Sequence, residues 1–226
     1  MLNDLRRRVP DFDLLVLTGD TAHDEARPTY AAGDALTEWS NRVRIIPGNH
    51  DQRAFLRELF PQSTTGPADR ITFQHAFEDW QIVGLDSHKP GEVPGRLGPE
   101  QLDWLQQCLA ASSVPTMLCL HHPPIPVHSP WLDQIGLEDA AEFGELMRQH
   151  AHVRLIVTGH VHQEFAGSLG AATVLTTAAV GPQFVPRTEQ LVIDDAPPAY
   201  RIIELESDGR WSTHVLRLPA SAASAR

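Results

Sequence analysis

Short runs of Val, Leu and Ile recur along this chain, and four of them stop at residues able to bind a metal. Asp13–Thr18 (DLLVLT) ends at Gly19-Asp20, and Val43–Ile46 ends at Pro47-Gly48-Asn49-His50-Asp51. Pro115–Leu120 runs straight into His121-His122, and Val153–Val157 ends at Thr158-Gly159-His160-Val161-His162. Apolar runs of this length bounded by Gly and Pro read as buried strands. Functional loops of an open α/β sheet gather at the carboxyl ends of its strands, so these four ends are expected to meet at one place.

The stretches between them support the same class. Arg27–Asn41 and Gln52–Phe60 have helical spacing, and Pro99–Ala110 carries a Leu102, Leu105, Leu109 stripe behind a first-turn proline. Leu137–His150 reads as a helix with a thin Ala140, Ala141, Gly144 face. Ile71–Phe77 and Trp80–Asp86 read as two strands joined by a turn. Val174–Thr177, Gln190–Ile193, Tyr200–Leu205 and Trp211–Leu216 make the back half mainly β. With no linker or internal repeat in 226 residues, a single domain over 1–226 is expected, with a fraying tail at 219–226.

Composition narrows the function. A formal charge of −11 disfavours a nucleic-acid binder, and no apolar run approaches a membrane span. Met1–Pro10 lacks the apolar core of a secretion signal, and two cysteines cannot form a disulfide framework, so a reducing cytoplasm is the expected compartment. Twelve histidines in an acidic chain point toward metal chemistry. The Asp20 carboxylate can bridge two divalent cations, while the Asn49 carbonyl oxygen and neutral imidazoles complete an N/O shell suited to Fe, Mn or Zn. His160 and His162, two apart in a segment that reads as extended, are expected to project to one side. Glycines before Asp20, Asn49 and His160 allow positive φ or close backbone approach. Cys119 reads as a small core residue.

The ordered set GD, GNHD, HHPP and GHVH resembles the calcineurin-like metallophosphoesterases over residues 13 to about 218. Leu85-Asp86-Ser87, GRLGPEQLDWL at 95–105 and Trp131-Leu132-Asp133-Gln134 make it most similar to the bacterial class III 3′,5′-cyclic-AMP phosphodiesterases. The resemblance implies a four-layer αββα sandwich with two divalent ions, Fe or Mn first and Zn as the alternative. By motif position it implies Asp20 as the bridging carboxylate and Asn49, one histidine of the pair and His160 on one metal, with His162 on the other. His121 is favoured over His122, which would pack or contact substrate. His50 would donate a proton or stabilise charge, and Asp51 would orient it. The implied reaction is in-line attack on the phosphorus of a small phosphodiester, cyclic AMP first, by a metal-held hydroxide. Nucleic acid and membrane are not expected partners, and a homodimer stays open.

One feature departs from the family. Its opening Asp-x-His motif is missing: no histidine precedes His23, and only 19 residues precede Asp20. The chain is expected to begin inside the following helix, at Met1–Arg8, and to lack the first strand, as either a truncated chain or a variant with a reduced first metal site. Other small phosphodiesters, such as glycerophosphodiesters, and a non-catalytic metal- or nucleotide-binding protein remain as alternatives. A phosphoprotein phosphatase is disfavoured, because no arginine follows Gly19-Asp20 at the family position and Asp51 stands where those enzymes have glutamate. His23 is expected to be a solvated neighbour of Asp20. His75, His88, His128, His150, His152 and His214 are expected at the surface or at helix ends, and Trp131 is left between packing and nucleobase contact.

Overall fold

A computed structural model of the chain describes residues 1–22, 36 and 38–219. His23 and most of the helix expected over Arg27–Asn41 lie outside them, as does the tail from 220. The elements run α1 (Leu2–Arg8), β1 (Leu15–Leu17), β2 (Val43–Ile45), α2 (Arg53–Leu59), β3 (Phe73–Ala76), β4 (Gln81–Gly84) and α3 (Pro99–Ala110). They continue with β5 (Thr116–Leu120), α4 (Pro130–Asp133), α5 (Ala140–Gln149), β6 (Val153–Thr158), β7 (Phe165–Leu169) and β8 (Ala172–Thr176). The chain closes with β9 (Gln183–Phe184), β10 (Ile193–Asp194), β11 (Ala199–Leu205) and β12 (Trp211–Arg217).

Six strands form one mixed sheet in the order β3-β4-β5-β6-β8-β7. Its four central strands are parallel, and β3 and β7 are antiparallel edges. The parallel centre is buried on both faces, which explains why β4 and β5 read as unbroken apolar runs. On one face lie α3 and α5, whose Leu105, Leu109, Phe143, Leu146 and Met147 pack on Val83, Leu118, Leu120 and Ile156. The other face, through Ile82, Met117, Cys119, Leu155 and Val157, meets Leu14, Val16, Ile203, Leu205 and Trp211. The second β layer turns Leu15, Leu17, Tyr200 and Ile202 outward onto Leu5, Leu36, Trp39 and Leu56. Three cores therefore separate four layers, helix, sheet, sheet and helix, as the resemblance implies.

The second β layer is divided. β1 pairs in parallel with β2, and β11 pairs antiparallel with β12, but neither pair is hydrogen-bonded to the other. Among the described residues β1 is thus paired on one edge only, and its residues are half-buried where a central strand would be closed in.

Local chemistry explains several boundaries. The helix expected from Leu137 begins at Ala140, because the Leu137 and Glu138 amides donate to the Pro123 and Gly95 carbonyls and the Asp139 carboxylate accepts from the Leu97 and Gly98 amides. The expected strand over Gln190–Ile193 shrinks to Ile193–Asp194. β7, with Gly167 and Ser168 in its middle, has weak strand propensity and is held by full pairing with β8. His88 is buried, against the expectation of a surface position. Both cysteines are free, and burial pushes the Cys119 thiol up to about 12.

At the end of β4, Asp86 joins three parts of the fold. Its fully buried carboxylate takes two bonds from the Arg53 guanidinium (2.6 and 2.7 Å) and one from the Ile71 amide (2.7 Å). Asp86→Ala leaves these donors unpaired and is expected to lower unfolding free energy by about 3 kcal/mol in urea titration. An unchanged midpoint would contradict this.

Candidate metal centre

The four loops singled out in the sequence converge at the carboxyl ends of β1, β2, β5 and β6, across the seam between the two β layers. Gly19 adopts φ 99°, and a Cβ there would run into the His121 ring and the Gly48 backbone. A Cβ on Gly48 would run into the Asp20 carboxylate. The two glycines thus let the β1 and β2 loops close on each other. The backbone N–H of His50 donates to Asp20 Oδ1 at 3.0 Å, fixing the carboxylate.

At the centre stand four atoms. His121 Nε2 lies 3.2 Å from Asn49 Oδ1, 3.2 Å from His160 Nδ1 and 3.3 Å from Asp20 Oδ2, while His160 Nδ1 lies 3.0 Å from Asn49 Oδ1. His121 Nδ1 is 2.7 Å from the Thr18 carbonyl, which can only accept, so this nitrogen carries the proton and Nε2 presents a lone pair. The buried Nε2 of His160 has no hydrogen bond of full geometry, with the Ile135 carbonyl as its neighbouring acceptor. Donors about 2.1 Å from a divalent ion sit about 3.0–3.4 Å from one another, which is the spacing found here. An oxygen-rich carboxylate, an amide oxygen and two imidazoles suit a borderline or hard divalent ion, so the residues fit the metal that their types suggest.

Electrostatics agree. Burial pushes the His160 imidazole down to about 3, reinforced by His121, so it stays neutral. Burial opposes charge on His121, but the Asp20 carboxylate outweighs it and raises the imidazole above its ordinary value. Asp20 shows the converse: burial acts upward, and His121 with the His50 amide draws the carboxyl below its ordinary range. A proton shared by this pair occupies the place a cation would take.

His122 is adjacent to this group but engaged elsewhere. Its Nδ1 meets Ser87 Oγ at 2.8 Å and its Nε2 meets the Val93 carbonyl at 2.9 Å, leaving no lone pair for a metal. Ser87, from the Leu85-Asp86-Ser87 segment, therefore holds the neighbour of His121. Although His121, His122 and His160 are the one clustered trio of metal-ligating types among the described residues, two of the three face the centre.

Two expectations need correction. His160 and His162 do not lie in an extended segment: their φ values are 67° and 48°, and the chain makes a tight left-handed bend. His160 turns into the buried centre, and His162 lies half-buried beside it, its ring stacked on Phe184. Asp51 is fully buried, and the donors to its carboxylate are the Gly48 amide (2.9 Å), the Thr21 amide (3.1 Å) and the Thr21 hydroxyl (2.5 Å). It ties the β1 loop to the β2 loop rather than steering the His50 ring. Sequence reasoning missed Pro182 and Phe184, which contact His162; a short strand in a proline-flanked loop gives no periodic signal.

Gly48→Ala is expected to displace Asp20 and to weaken Mn²⁺ binding by on the order of 100-fold in calorimetric titration. Retained affinity would contradict the close approach. Because a cation must displace the proton on the Asp20–His121 pair, Mn²⁺ affinity should rise about tenfold per unit between pH 5.5 and 6.5. A pH-independent affinity over that window would contradict the site.

Comparison with known proteins accords with this geometry. Residues 1–164 match the family described as calcineurin-like phosphoesterase. A probable cyclic nucleotide phosphodiesterase from Synechococcus is 36% identical over 223 residues, covering 95% of this chain and 80% of that protein. The 3′,5′-cyclic adenosine monophosphate phosphodiesterase of Escherichia coli is 34% identical over 220 residues, covering 96% of this chain and 79% of that one. Among solved structures, a dimetal phosphatase from Danio rerio aligns with a TM-score of 0.65 at 17% identity, covering 89% of this chain and 82% of that one, a likeness of fold. The motifs, the layered fold and these relatives together place the chain among the calcineurin-like metallophosphoesterases, a family of hydrolases.

Proposed function

We propose that this chain is a metal-dependent phosphodiesterase that hydrolyses 3′,5′-cyclic nucleotides, converting cyclic AMP to 5′-AMP. The observation that carries the proposal is the convergence of Asp20 Oδ2, Asn49 Oδ1, His121 Nε2 and His160 Nδ1, four acceptors brought within reach of one cation. The substrate class comes from the curated relatives, which bear the names of cyclic-nucleotide phosphodiesterases at 31–36% identity.

Asn49, His121 and His160 would hold one ion, and Asp20 would bridge it to a second beside His162. Divalent ions, Fe or Mn with Zn as the alternative, supply Lewis-acid polarisation of the phosphoryl oxygens and an activated water when bound. The chain's own groups do the rest. Asp20, held by the His50 amide, fixes the spacing of the two positions. His50, half-buried, would protonate the departing ribose 3′ oxygen while water adds to phosphorus. Asp51 keeps the two loops in register through Thr21 and Gly48. The cations offset the −11 charge that would otherwise repel an anionic substrate. A single-domain cytoplasmic enzyme suits such a small intracellular substrate.

A second reading, a non-catalytic metal- or nucleotide-binding protein, is favoured by one observation. Among the described residues, Asp20 is the carboxylate whose charge acts on His162, with the His121 and His50 imidazoles as the other neighbours. Elemental analysis separates the two readings. The enzyme is expected to retain about two Mn²⁺ per chain and to release 5′-AMP from cyclic AMP. Asn49→Ala and His160→Ala should each lower the rate by on the order of 100-fold or more, with His75→Ala near wild type. One ion or none, with no 5′-AMP formed, would favour the binding protein.

A further inference from the structure

His162 is held differently from His121 and His160. Those two are buried among the other donors, whereas His162 is half-buried and secured from one side by residues 179–184. Its Nδ1 lies 2.8 Å from the Pro182 carbonyl, which accepts only, so Nδ1 carries the proton. The Phe184 amide donates to the His162 carbonyl at 3.1 Å. The Phe184 ring lies flat on the imidazole, centroids 4.3 Å apart and planes 11° from parallel, and Trp131 packs against Phe184 at 5.4 Å.

The turn that presents the Pro182 carbonyl is itself clamped. Gln183 is 3% exposed, and its side-chain amide donates to the Ala179 carbonyl (2.7 Å) and the Gly181 carbonyl (2.9 Å). Its Oε1 accepts from the Ala179 amide (3.1 Å). A buried amide making three local bonds fixes one loop shape. The left-handed backbone of His162 (φ 48°) needs such external support to persist.

We infer that Gln183 and Phe184 are positioning residues for His162. Gln183 sets the Pro182 carbonyl that locks the imidazole as its Nδ1–H tautomer, and Phe184 sets the ring plane. Nε2 is thereby left as the lone pair offered to the second metal position. The inference rests on the reading of His162 as a ligand and goes beyond it, since it makes that position depend on a segment outside the four motif loops.

Long-range ¹H–¹⁵N spectra of the metal-free protein at pH 8 test it, with the His162 signals assigned by their absence in His162→Gln. Wild type should show the Nδ1–H tautomer, while Gln183→Ala and Phe184→Leu should shift His162 toward the Nε2–H form. In calorimetric titration with Zn²⁺, both variants should weaken the weaker of two binding steps 10- to 100-fold and spare the tighter one. Phe184→Tyr should restore it. A wild-type His162 protonated on Nε2 overturns the inference, as does a single Zn²⁺ step indifferent to Phe184. A lowered melting temperature with unchanged tautomer and Zn²⁺ binding would mark both residues as packing only and also overturns it. Absence of cyclic AMP hydrolysis alongside the expected tautomer and Zn²⁺ pattern would sink the phosphodiesterase reading and still support this positioning role.

Discussion

Four acceptor atoms meeting in one buried space is the constraint around which the rest is arranged. Asn49 Oδ1, His121 Nε2, His160 Nδ1 and Asp20 Oδ2 repel one another at 3.0–3.3 Å unless a positive charge stands between them. The chain maintains this by rigid means. Thr18 takes the far proton of His121, the His50 amide holds Asp20, and Asp51 ties the two front loops together beneath the site. Among the described residues five non-glycine residues have positive φ, and three of them are Asp20, His160 and His162. Backbones of this kind are strained by roughly 1–3 kcal/mol each and persist where neighbouring structure over-determines them.

The layered fold supplies that over-determination. Asp20 and Asn49 come from the divided layer of β1 and β2, whereas His121, His160 and His162 come from the six-stranded sheet. The apolar seam of Ile46, Met117, Cys119, Leu155 and Val157 presses the two layers together directly below the loops. A metal centre built across two sheets is thus sensitive to their packing, and the one-sided pairing of β1 sets Asp20 on the less supported of the two.

Much of this was legible in the sequence. Glycine-stopped apolar runs gave the strands, and the residue types at their ends gave the donors, because strand burial and ligand chemistry both leave short-range marks. The resemblance favours His121 over His122, but the physical reason lies outside the motif, in Ser87 and Val93, which approach from other segments and occupy both nitrogens of His122. Asp51 was misread because its partners, Thr21 and Gly48, become neighbours only when β1 and β2 pair. The bend at His160-Val161-His162 looked extended because left-handed φ at histidine has no local signature. β7 and the Pro182–Phe184 contact were invisible for a related reason, since their stability comes from pairing and stacking rather than from propensity.

The most direct measurement is anomalous diffraction from crystals grown with Mn²⁺. A peak is expected about 2.0–2.3 Å from Asn49 Oδ1, His121 Nε2, His160 Nδ1 and an Asp20 oxygen, with His122 still bonded to Ser87 and Val93. A peak on His122, or no peak among the four acceptors at saturating Mn²⁺, would contradict the account.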